Sequence, residues 1–251
     1  MRITFVCLTI VFVLSLHASF AGARRFAYSY EATTAAPGAL ELENWVTWQT
    51  HKDDDARFNE VDFRHEIEFG LTNRLQAGVY LADWDYETGN SIEKSGLDYS
   101  GSALELIYGL TNPATDWLGL AAYEEIKAGR REFELESKLI AQKDLGPLVL
   151  VYNATLEAKC GGHELDERAG EFAQTFGASY EVSPRLLLGA EFLHEINLPD
   201  WSQSGDNIVF GGPNVSYRFG NWWATVTGLA QLTRVNDEPD FQLRTIFGYA
   251  F

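Results

Sequence analysis

Hydrophobic and polar residues alternate over long stretches of this chain. In ALELENWVTWQ at 39–49, Leu40, Leu42 and Val46 fall on one face, and Glu41 and Glu43 fall on the other. Successive side chains of a β-strand point to opposite faces, so this period of two predicts strands with one apolar face. Apolar residues at helical spacing are hard to find beyond residue 23. The pattern therefore predicts an all-β fold.

The same alternation predicts about twelve strands, many of them longer than ten residues. A strand in a soluble domain is usually about 5–6 residues long, whereas a tilted strand that crosses a bilayer needs about 9–11. The strand lengths therefore favour a membrane barrel. The predicted strands are 39–49, 57–71, 74–86, 97–111, 116–128, 131–143, 147–160, 166–181, 184–197, 206–219, 221–234 and 240–251.

The connections between these strands alternate between short turns and longer polar loops. Short turns are predicted at 72–73 and 220–221, longer polar loops at 50–56 and 87–96, and 128–130 is a short exception among the loops. Outer-membrane barrels show this asymmetry, with their short turns facing the periplasm. The sequence predicts a single antiparallel up-and-down transmembrane β-barrel with an even strand number and both termini on the periplasmic side.

The N-terminal region divides into two parts ahead of the barrel at 39–251. Residues 1–23 have one Arg, an apolar run and small residues, which predicts a secretory signal peptide cleaved after Ala23, with Ala21 as the alternative. The apolar run is shorter than the span of about 20 residues that a membrane helix needs. Residues 24–38 are predicted as an N-terminal periplasmic segment. Three placements stay open for it: an extra short strand, a lining of the periplasmic mouth, or insertion into the lumen.

The net charge of −17, from 36 acidic and 19 basic residues, argues against nucleic acid as a partner because phosphate binding needs a basic face. A charged side chain on the lipid face near the midplane costs about 2–4 kcal/mol for Arg or Lys. The charged residues of the strands are therefore predicted to line the lumen. These residues are Glu41, Glu43, Asp62, Arg64, Glu66, Glu68, Glu105, Glu132, Glu134, Glu136, Lys138, Glu157, Glu191, Arg218 and Arg244.

Two functions follow from such a lining. A hydrated lumen rich in carboxylates concentrates cations, which predicts a porin-like channel for passive passage of small solutes, with cations favoured. Charges that pair across a narrow interior instead predict a closed structural or surface-binding barrel that transports nothing.

An outer-membrane lipid-modifying enzyme is a further alternative, and it needs a Ser or Thr nucleophile near a His. Ser216 and Ser137 are interpreted as inward-facing, but no inward His accompanies either of them. His163 offers one good metal ligand in a loop, and the three aspartates at 53–55 fit a solvated loop better than a Ca²⁺ site. The sequence therefore predicts no catalytic residue, no metal and no cofactor.

The last strand, DFQLRTIFGYAF, resembles the terminal strand of Gram-negative outer-membrane β-barrels. In that class a terminal aromatic after alternating apolar residues is read by the barrel-assembly machinery. The resemblance implies that machinery as a partner, together with outer-membrane lipid and lipopolysaccharide, and it implies the cell outer membrane as location. The matching residues are Phe251, Tyr249, Phe247, Leu243 and Phe241.

The hairpin RHEIEFGLTNRLQAGVYL at 64–81 is similar to a phrase of putative outer-membrane transporters, including those associated with the MetA pathway of phenol degradation. This likeness covers one hairpin and implies transport without a particular solute. A channel for hydrophobic solutes would be expected to have an apolar inner path, and the inner face predicted here is acidic.

Overall fold

Twelve antiparallel strands form one closed barrel in a computed structural model, which describes residues 23–90, 92, 95–162, 164–201 and 203–251. The predicted signal peptide, apart from its last residue, and His163 lie outside the described residues. Among those described, no helix has the length and apolarity needed to cross a membrane. The strands are β1 (Leu40–Thr50), β2 (Asn59–Gly70), β3 (Leu75–Thr88), β4 (Gly96–Thr111), β5 (Gly119–Ala128), β6 (Glu132–Leu145), β7 (Leu148–Gly161), β8 (Glu167–Ser183), β9 (Leu186–Leu198), β10 (Asn207–Phe219), β11 (Trp222–Gln231) and β12 (Phe241–Ala250).

Each strand pairs with its neighbours in sequence, and β12 closes the barrel by pairing with β1. In this last ladder Leu42 lies opposite Tyr249, and Trp48 lies opposite Leu243. Closure leaves no strand with an unpaired edge, so the backbone groups of the strands are satisfied within the sheet. The predicted fold class is confirmed, and every predicted strand boundary lies within three residues of an observed one.

The barrel has an apolar outer face and a polar interior, as the alternation predicted. On β6, Leu139 is 66% exposed while its neighbours Lys138 and Ile140 are buried. Similar exposed Leu, Phe, Tyr and Trp side chains occur on all sides of the barrel. Soluble monomers rarely expose contiguous apolar surface beyond a few hundred Å², so this outer face has the composition of a lipid-facing surface.

Aromatic side chains pack together at both ends of the barrel. At the short-turn end, the ring centroid of Trp222 lies 4.9 Å from that of Phe247 and 4.3 Å from that of Tyr249. At the long-loop end, Trp84 contacts Tyr99 with a centroid separation of 5.4 Å. Two such belts mark the levels at which an aromatic ring touches both hydrocarbon and headgroups.

Two histidines on the outer face make hydrogen bonds to neighbouring strands. His65 Nδ1 lies 2.8 Å from Asn44 Oδ1 on β1. His194 bridges two strands, with Nδ1 3.2 Å from Gln174 on β8 and Nε2 3.1 Å from Asn207 on β10. These bonds compensate polar atoms on a surface that is largely apolar.

Residues 23–36 enter the interior of the barrel, which is the third of the placements left open for the predicted periplasmic segment. Phe26 and Ala27 are fully buried, and the Phe26 ring lies against Gly177 of β8. The chain leaves the interior at Gly38, which has a φ of +81° and donates its N–H to Gly70 O at 2.8 Å. It then continues directly into β1. We call residues 23–36 the inner segment.

A side chain at Gly212 is expected to disturb the seam between β10 and β11. In this ladder Gly211 lies opposite Ala230, the next paired residue is Asn214 opposite Thr227, and Gly212 lies in the gap between them. A Cβ at Gly212 would overlap the carbonyl oxygen of Gly228. Gly212→Ala should lower the free energy of unfolding by about 1–3 kcal/mol, the usual cost of overpacking. The midpoint of urea unfolding in detergent micelles measures this. Gly96→Ala is the control, because a Cβ there meets no atom within 4 Å, and equal midpoints for the two variants would contradict the expectation.

Candidate functional site

The inner segment is held by polar side chains of the barrel wall rather than by strand pairing. Its extended backbone places N–H groups where they meet inward-facing amides on three strands. Three of these N–H groups donate to amide oxygens: Tyr30 to Asn153 at 2.6 Å, Ala32 to Gln142 at 2.8 Å and Ala35 to Gln76 at 2.7 Å. The neutral amides of the wall therefore satisfy backbone groups that would otherwise be buried without partners.

The carboxylate of Glu191 on β9 holds the start of this segment. One oxygen accepts the N–H of Tyr28 at 3.0 Å and that of Ser29 at 2.8 Å. The other oxygen accepts the N–H of Ala27 at 2.9 Å and the hydroxyl of Thr227 at 2.6 Å. Successive backbone N–H groups that converge on one anion form a nest, so Glu191 has donors for both of its oxygens although it is fully buried.

Tyrosine rings and cationic side chains pack around the middle of the inner segment. The Tyr30 ring meets the Tyr123 ring edge-on with centroids 5.0 Å apart. The Arg24 guanidinium lies 4.2 Å and the Lys138 ammonium 4.1 Å from the centroid of Tyr30. Cation–π contacts of this kind are worth up to about 2 kcal/mol when they are desolvated.

The inner segment contacts all twelve strands, so it crosses the whole cross-section of the barrel. Its wall contacts, one for each strand from β1 to β12, are Glu43, Glu68, Tyr80, Glu105, Tyr123, Gln142, Asn153, Gly177, Glu191, Ser216, Thr225 and Gln242.

Two cavities lie on opposite sides of the inner segment, and Tyr30 lines both. The cavity on the long-loop side has a volume of about 540 Å³ and includes Glu157 and Glu195 in its lining. The cavity on the short-turn side has a volume of about 390 Å³ and includes Arg24 and Glu68 in its lining. The lumen of the barrel is thus divided by the segment.

The structure places all fifteen residues of the predicted lining on the inner side of the wall. Seven are buried against the inner segment or each other: Glu41, Glu43, Glu66, Glu68, Glu105, Lys138 and Glu191. The others line the cavities of the interior or of the long-loop mouth: Asp62, Arg64, Glu132, Glu134, Glu136, Glu157, Arg218 and Arg244.

Ion pairs occupy one side of the long-loop cavity. Seven pairs join side chains on β2 to β7. They are Arg64–Asp83 at 3.0 Å, Lys127–Asp83 at 3.7 Å, Lys127–Glu134 at 3.5 Å, Lys138–Glu136 at 2.9 Å, Lys159–Glu132 at 3.5 Å, Lys159–Glu134 at 2.7 Å and Lys159–Glu157 at 3.9 Å. On the β8 and β9 side, Glu171 and Glu195 have no ion pair within 4.0 Å among the residues that the structure describes. The cavity therefore has a paired side and a side with unpaired carboxylates.

Glu238, in the loop between β11 and β12, also lines this cavity. Burial raises the pKa of Glu238 above its ordinary value, and the negative charge of Asp237 raises it further. The group is therefore harder to ionise than a carboxyl in water.

Neither serine considered as a nucleophile has the surroundings of one. Ser216 faces the interior and donates its hydroxyl to the carbonyl oxygen of Arg24 at 2.9 Å. The interpretation of Ser137 as inward-facing is wrong: it lies on the outer face and donates to Glu124 at 2.7 Å. Neither hydroxyl bonds to a histidine in the described part of the chain. No Ser–His pair is formed there.

Sequence reasoning missed the residues that hold the inner segment, namely Asn153, Gln142 and Gln76. The sequence feature that could have identified them is a neutral amide side chain at an inward strand position, because the other inward polar residues are mostly charged. An amide presents an acceptor without adding charge, which suits a backbone N–H in a closed interior.

The closed twelve-strand barrel with a polar interior has the fold of porin-like outer-membrane proteins. The NanC porin matches with a TM-score of 0.56 at 11% identity, over 84% of this chain and 99% of that chain. The KdgM porin in complex with disordered oligogalacturonate matches with a TM-score of 0.55 at 10% identity, over the same shares. The translocator domain of the autotransporter NalP from Neisseria meningitidis matches with a TM-score of 0.53 at 12% identity, over 88% of this chain and 90% of that chain. At these identities the likeness shows the fold alone.

The sequence also identifies a family. Residues 18–242 match the model of the family of unknown function DUF6662, and the chain belongs to that family. No curated protein sequence matches it. The resemblance to outer-membrane barrels is thus confirmed for the fold.

Glu191→Gln is expected to loosen the start of the inner segment. Glutamine has one acceptor oxygen, and its NH₂ group replaces the other oxygen. Either the donors Tyr28 and Ser29, which share one oxygen of Glu191, or the donors Ala27 and Thr227, which share the other, therefore lose their acceptor. A hydrogen bond to a charged group contributes about 1.5–3 kcal/mol, so exchange of the amides that lose their acceptor should speed up by about ten- to hundredfold.

Hydrogen–deuterium exchange of the refolded protein in micelles measures this change. Glu195→Gln is the matched control, since Glu195 lies four residues further along the same strand, also faces the interior and has no hydrogen bond to the inner segment among the described contacts. Unchanged exchange in Glu191→Gln would contradict the role of the nest.

Proposed function

We propose that this protein is an outer-membrane channel for the passive passage of small solutes, with the inner segment obstructing the lumen. The observation that carries the proposal is the pair of polar cavities of about 540 and 390 Å³ on either side of that segment. The wall is complete without the segment, because all twelve strands pair with one another. Removing or displacing the segment would join the two cavities into one path.

A preference for cations is the finer part of the proposal. Glu157 and Glu171 lie opposite each other on β7 and β8 and both line the long-loop cavity, with Glu195 next to them on β9. Fixed carboxylates in a confined aqueous space attract cations and repel anions. Glu171 on β8 and Glu195 on β9 support this preference, because neither has an ion pair within 4.0 Å among the described residues. Acidic sugars are therefore not proposed as solutes, and the likeness of 64–81 to transporters of the MetA pathway stays a prediction.

The location proposed is the cell outer membrane, reached through the predicted signal peptide. The apolar outer face and the two aromatic belts support contact with outer-membrane lipid and lipopolysaccharide. The terminal strand supports recognition by the barrel-assembly machinery, since Phe241, Leu243, Phe247 and Tyr249 share the outer face of β12 with the terminal Phe251 beyond them.

A structural barrel that transports nothing is the second candidate function. It is favoured by the ion pairs on β2 to β7 and by the contacts of the inner segment with all twelve strands. In that case the segment is a permanent part of the interior, and its hydrogen bonds stabilise the barrel rather than obstruct a path.

Single-channel recording in planar lipid bilayers separates the two functions. We expect the full chain to show small or rare openings. We expect a variant with residues 24–33 replaced by a Gly–Ser sequence of the same length to show a conductance several times larger. The side-chain contacts of the segment are then lost, and a flexible Gly–Ser chain loses more conformational entropy when its N–H groups are held by the wall. Heat-modifiable migration on gels establishes that each protein is folded. A folded variant without conductance would support the structural barrel and remove the channel.

The double variant Glu157→Gln with Glu171→Gln is expected to lower the cation preference of the open channel. Both substitutions remove fixed negative charge from the long-loop cavity while keeping the size of the side chains. The reversal potential in a salt gradient measures the permeability ratio, which should fall severalfold toward unity. Glu124→Gln is the control because Glu124 faces outward on β5. Equal reversal potentials for the double variant and the unmodified protein would refute the selectivity proposal.

A further inference from the structure

The register between β1 and β2 places carboxylates directly opposite each other. Glu41 lies opposite Glu68, and Glu43 lies opposite Glu66, with all four side chains directed into the barrel. Like charges at directly opposed positions of a sheet are unfavourable. The pairing nevertheless occurs twice in succession, so these carboxyl groups need compensation from something other than each other.

Gly78 on the next strand leaves room for the Glu105 carboxylate of β4 to lie beside the four carboxylates of β1 and β2. Gly78 of β3 lies between Glu68 on β2 and Glu105 on β4 in the register. A Cβ at Gly78 would overlap Glu66 Oε1 and would lie 3.3 Å from the Cβ of Glu105. The missing side chain therefore leaves the space into which the Glu66 carboxylate is directed, next to Glu105.

Hydrogen-bond donors satisfy only part of this cluster. Trp45 Nε1 donates to Glu43 Oε2 at 2.8 Å, and the Tyr80 hydroxyl donates to Glu105 Oε2 at 2.5 Å. Four buried oxygens have no partner, namely Glu43 Oε1, both oxygens of Glu66, and Glu105 Oε1. A buried carboxylate oxygen without a donor is strongly unfavourable, so the cluster needs either bound protons or a further positive partner.

One cationic side chain of the inner segment reaches the cluster. Arg24 Nη1 lies 3.3 Å from Glu43 Oε2 and 4.0 Å from Glu68 Oε1. A single guanidinium balances one carboxylate, and it forms no ion pair with Glu66 among the described contacts. The negative charge of the cluster therefore exceeds the positive charge that the protein itself brings to it.

The geometry of three carboxylates in this cluster suits a metal ion. Glu43, Glu66 and Glu68 each offer one oxygen, and the three oxygens lie within 4.8 Å of one another. Ca²⁺ binds oxygens at about 2.3–2.6 Å, so two of its ligands lie at most about 5 Å apart. Glu68 and Arg24 also line the short-turn cavity, which gives an ion a way to the cluster.

We propose that Glu43, Glu66 and Glu68 bind a hard divalent cation of the calcium class inside the barrel wall, with Glu105 as a fourth carboxylate beside it. The ion supplies the positive charge that the unpartnered oxygens of Glu66 and Glu105 lack. Carboxylate oxygens are the ligands that such ions prefer. The bound ion and the Arg24 guanidinium share Glu43 and Glu68, so each weakens the binding of the other.

Terbium luminescence tests this site in the refolded full-length protein. Tb³⁺ takes the place of Ca²⁺ at oxygen sites, and the Trp45 indole, which is bonded to Glu43, lies close enough to excite it. We expect emission on excitation of tryptophan, displaced by added Ca²⁺. Isothermal titration calorimetry with Ca²⁺ alone gives the affinity for Ca²⁺ in the absence of Tb³⁺. Absence of both signals at millimolar ion would overturn the proposal.

Two variants give opposite expected changes. Glu66→Gln removes a carboxylate whose two oxygens have no partner, and it should weaken Ca²⁺ binding at least tenfold. Arg24→Gln removes the competing cation and should strengthen Ca²⁺ binding severalfold. Heat-modifiable migration establishes that both variants fold. An affinity that stays unchanged in either folded variant would overturn the proposal.

The exposed aspartates of the first loop offer a rival position for the ion. The double variant Asp53→Asn with Asp54→Asn removes two exposed carboxylates of that loop and leaves the interior intact. We expect it to bind Ca²⁺ with unchanged affinity. Loss of binding in this variant, together with retained binding in Glu66→Gln, would place the ion in the loop and refute the internal site.

Discussion

The ladder between β1 and β12 is the constraint on which the rest of the structure depends. By pairing the first strand with the last, it turns a sheet with two polar edges into a barrel with none. Closure also separates two environments, so that one face of every strand meets an apolar surrounding and the other meets an enclosed polar space. Charged groups within that space interact strongly because water there is limited. The carboxylate cluster, the ion pairs and the divided lumen all exist inside this enclosure.

Each polar group inside the barrel needs a hydrogen-bond or ion-pair partner, because little water is available there. The inner segment meets this condition with backbone N–H groups directed at Glu191 and at the amides of Asn153, Gln142 and Gln76. The wall presents polar side chains at heights that match an extended chain crossing the barrel. Among the described residues, fifteen hydrogen bonds in all join the segment to the wall, so the free energy needed to displace it depends on their summed strength.

The strands could be predicted from sequence because a strand between an apolar and a polar environment alternates apolar and polar residues, as in Leu42 next to Glu43. The path of the inner segment could not be predicted, since Phe26 to Glu31 alternates weakly and its partners lie far away in sequence. The bond between Tyr28 and Glu191, for example, spans 163 residues. The inward direction of the charged residues followed from the same alternation, but their division into paired and unpaired groups depends on neighbouring strands. Ser137 shows the limit, because its phase was misjudged within a strand that was otherwise predicted correctly.

The contacts of the inner segment with all twelve strands constrain the order in which the protein assembles. The segment precedes β1, yet its contacts with Thr225 and Gln242 involve the last two strands of the barrel, β11 and β12. These contacts can form only when nearly the whole chain is present, and contacts of such long range slow folding. Once β12 joins β1, the segment is surrounded on every side by wall. Complete seating of the segment therefore depends on the same late strands that close the wall.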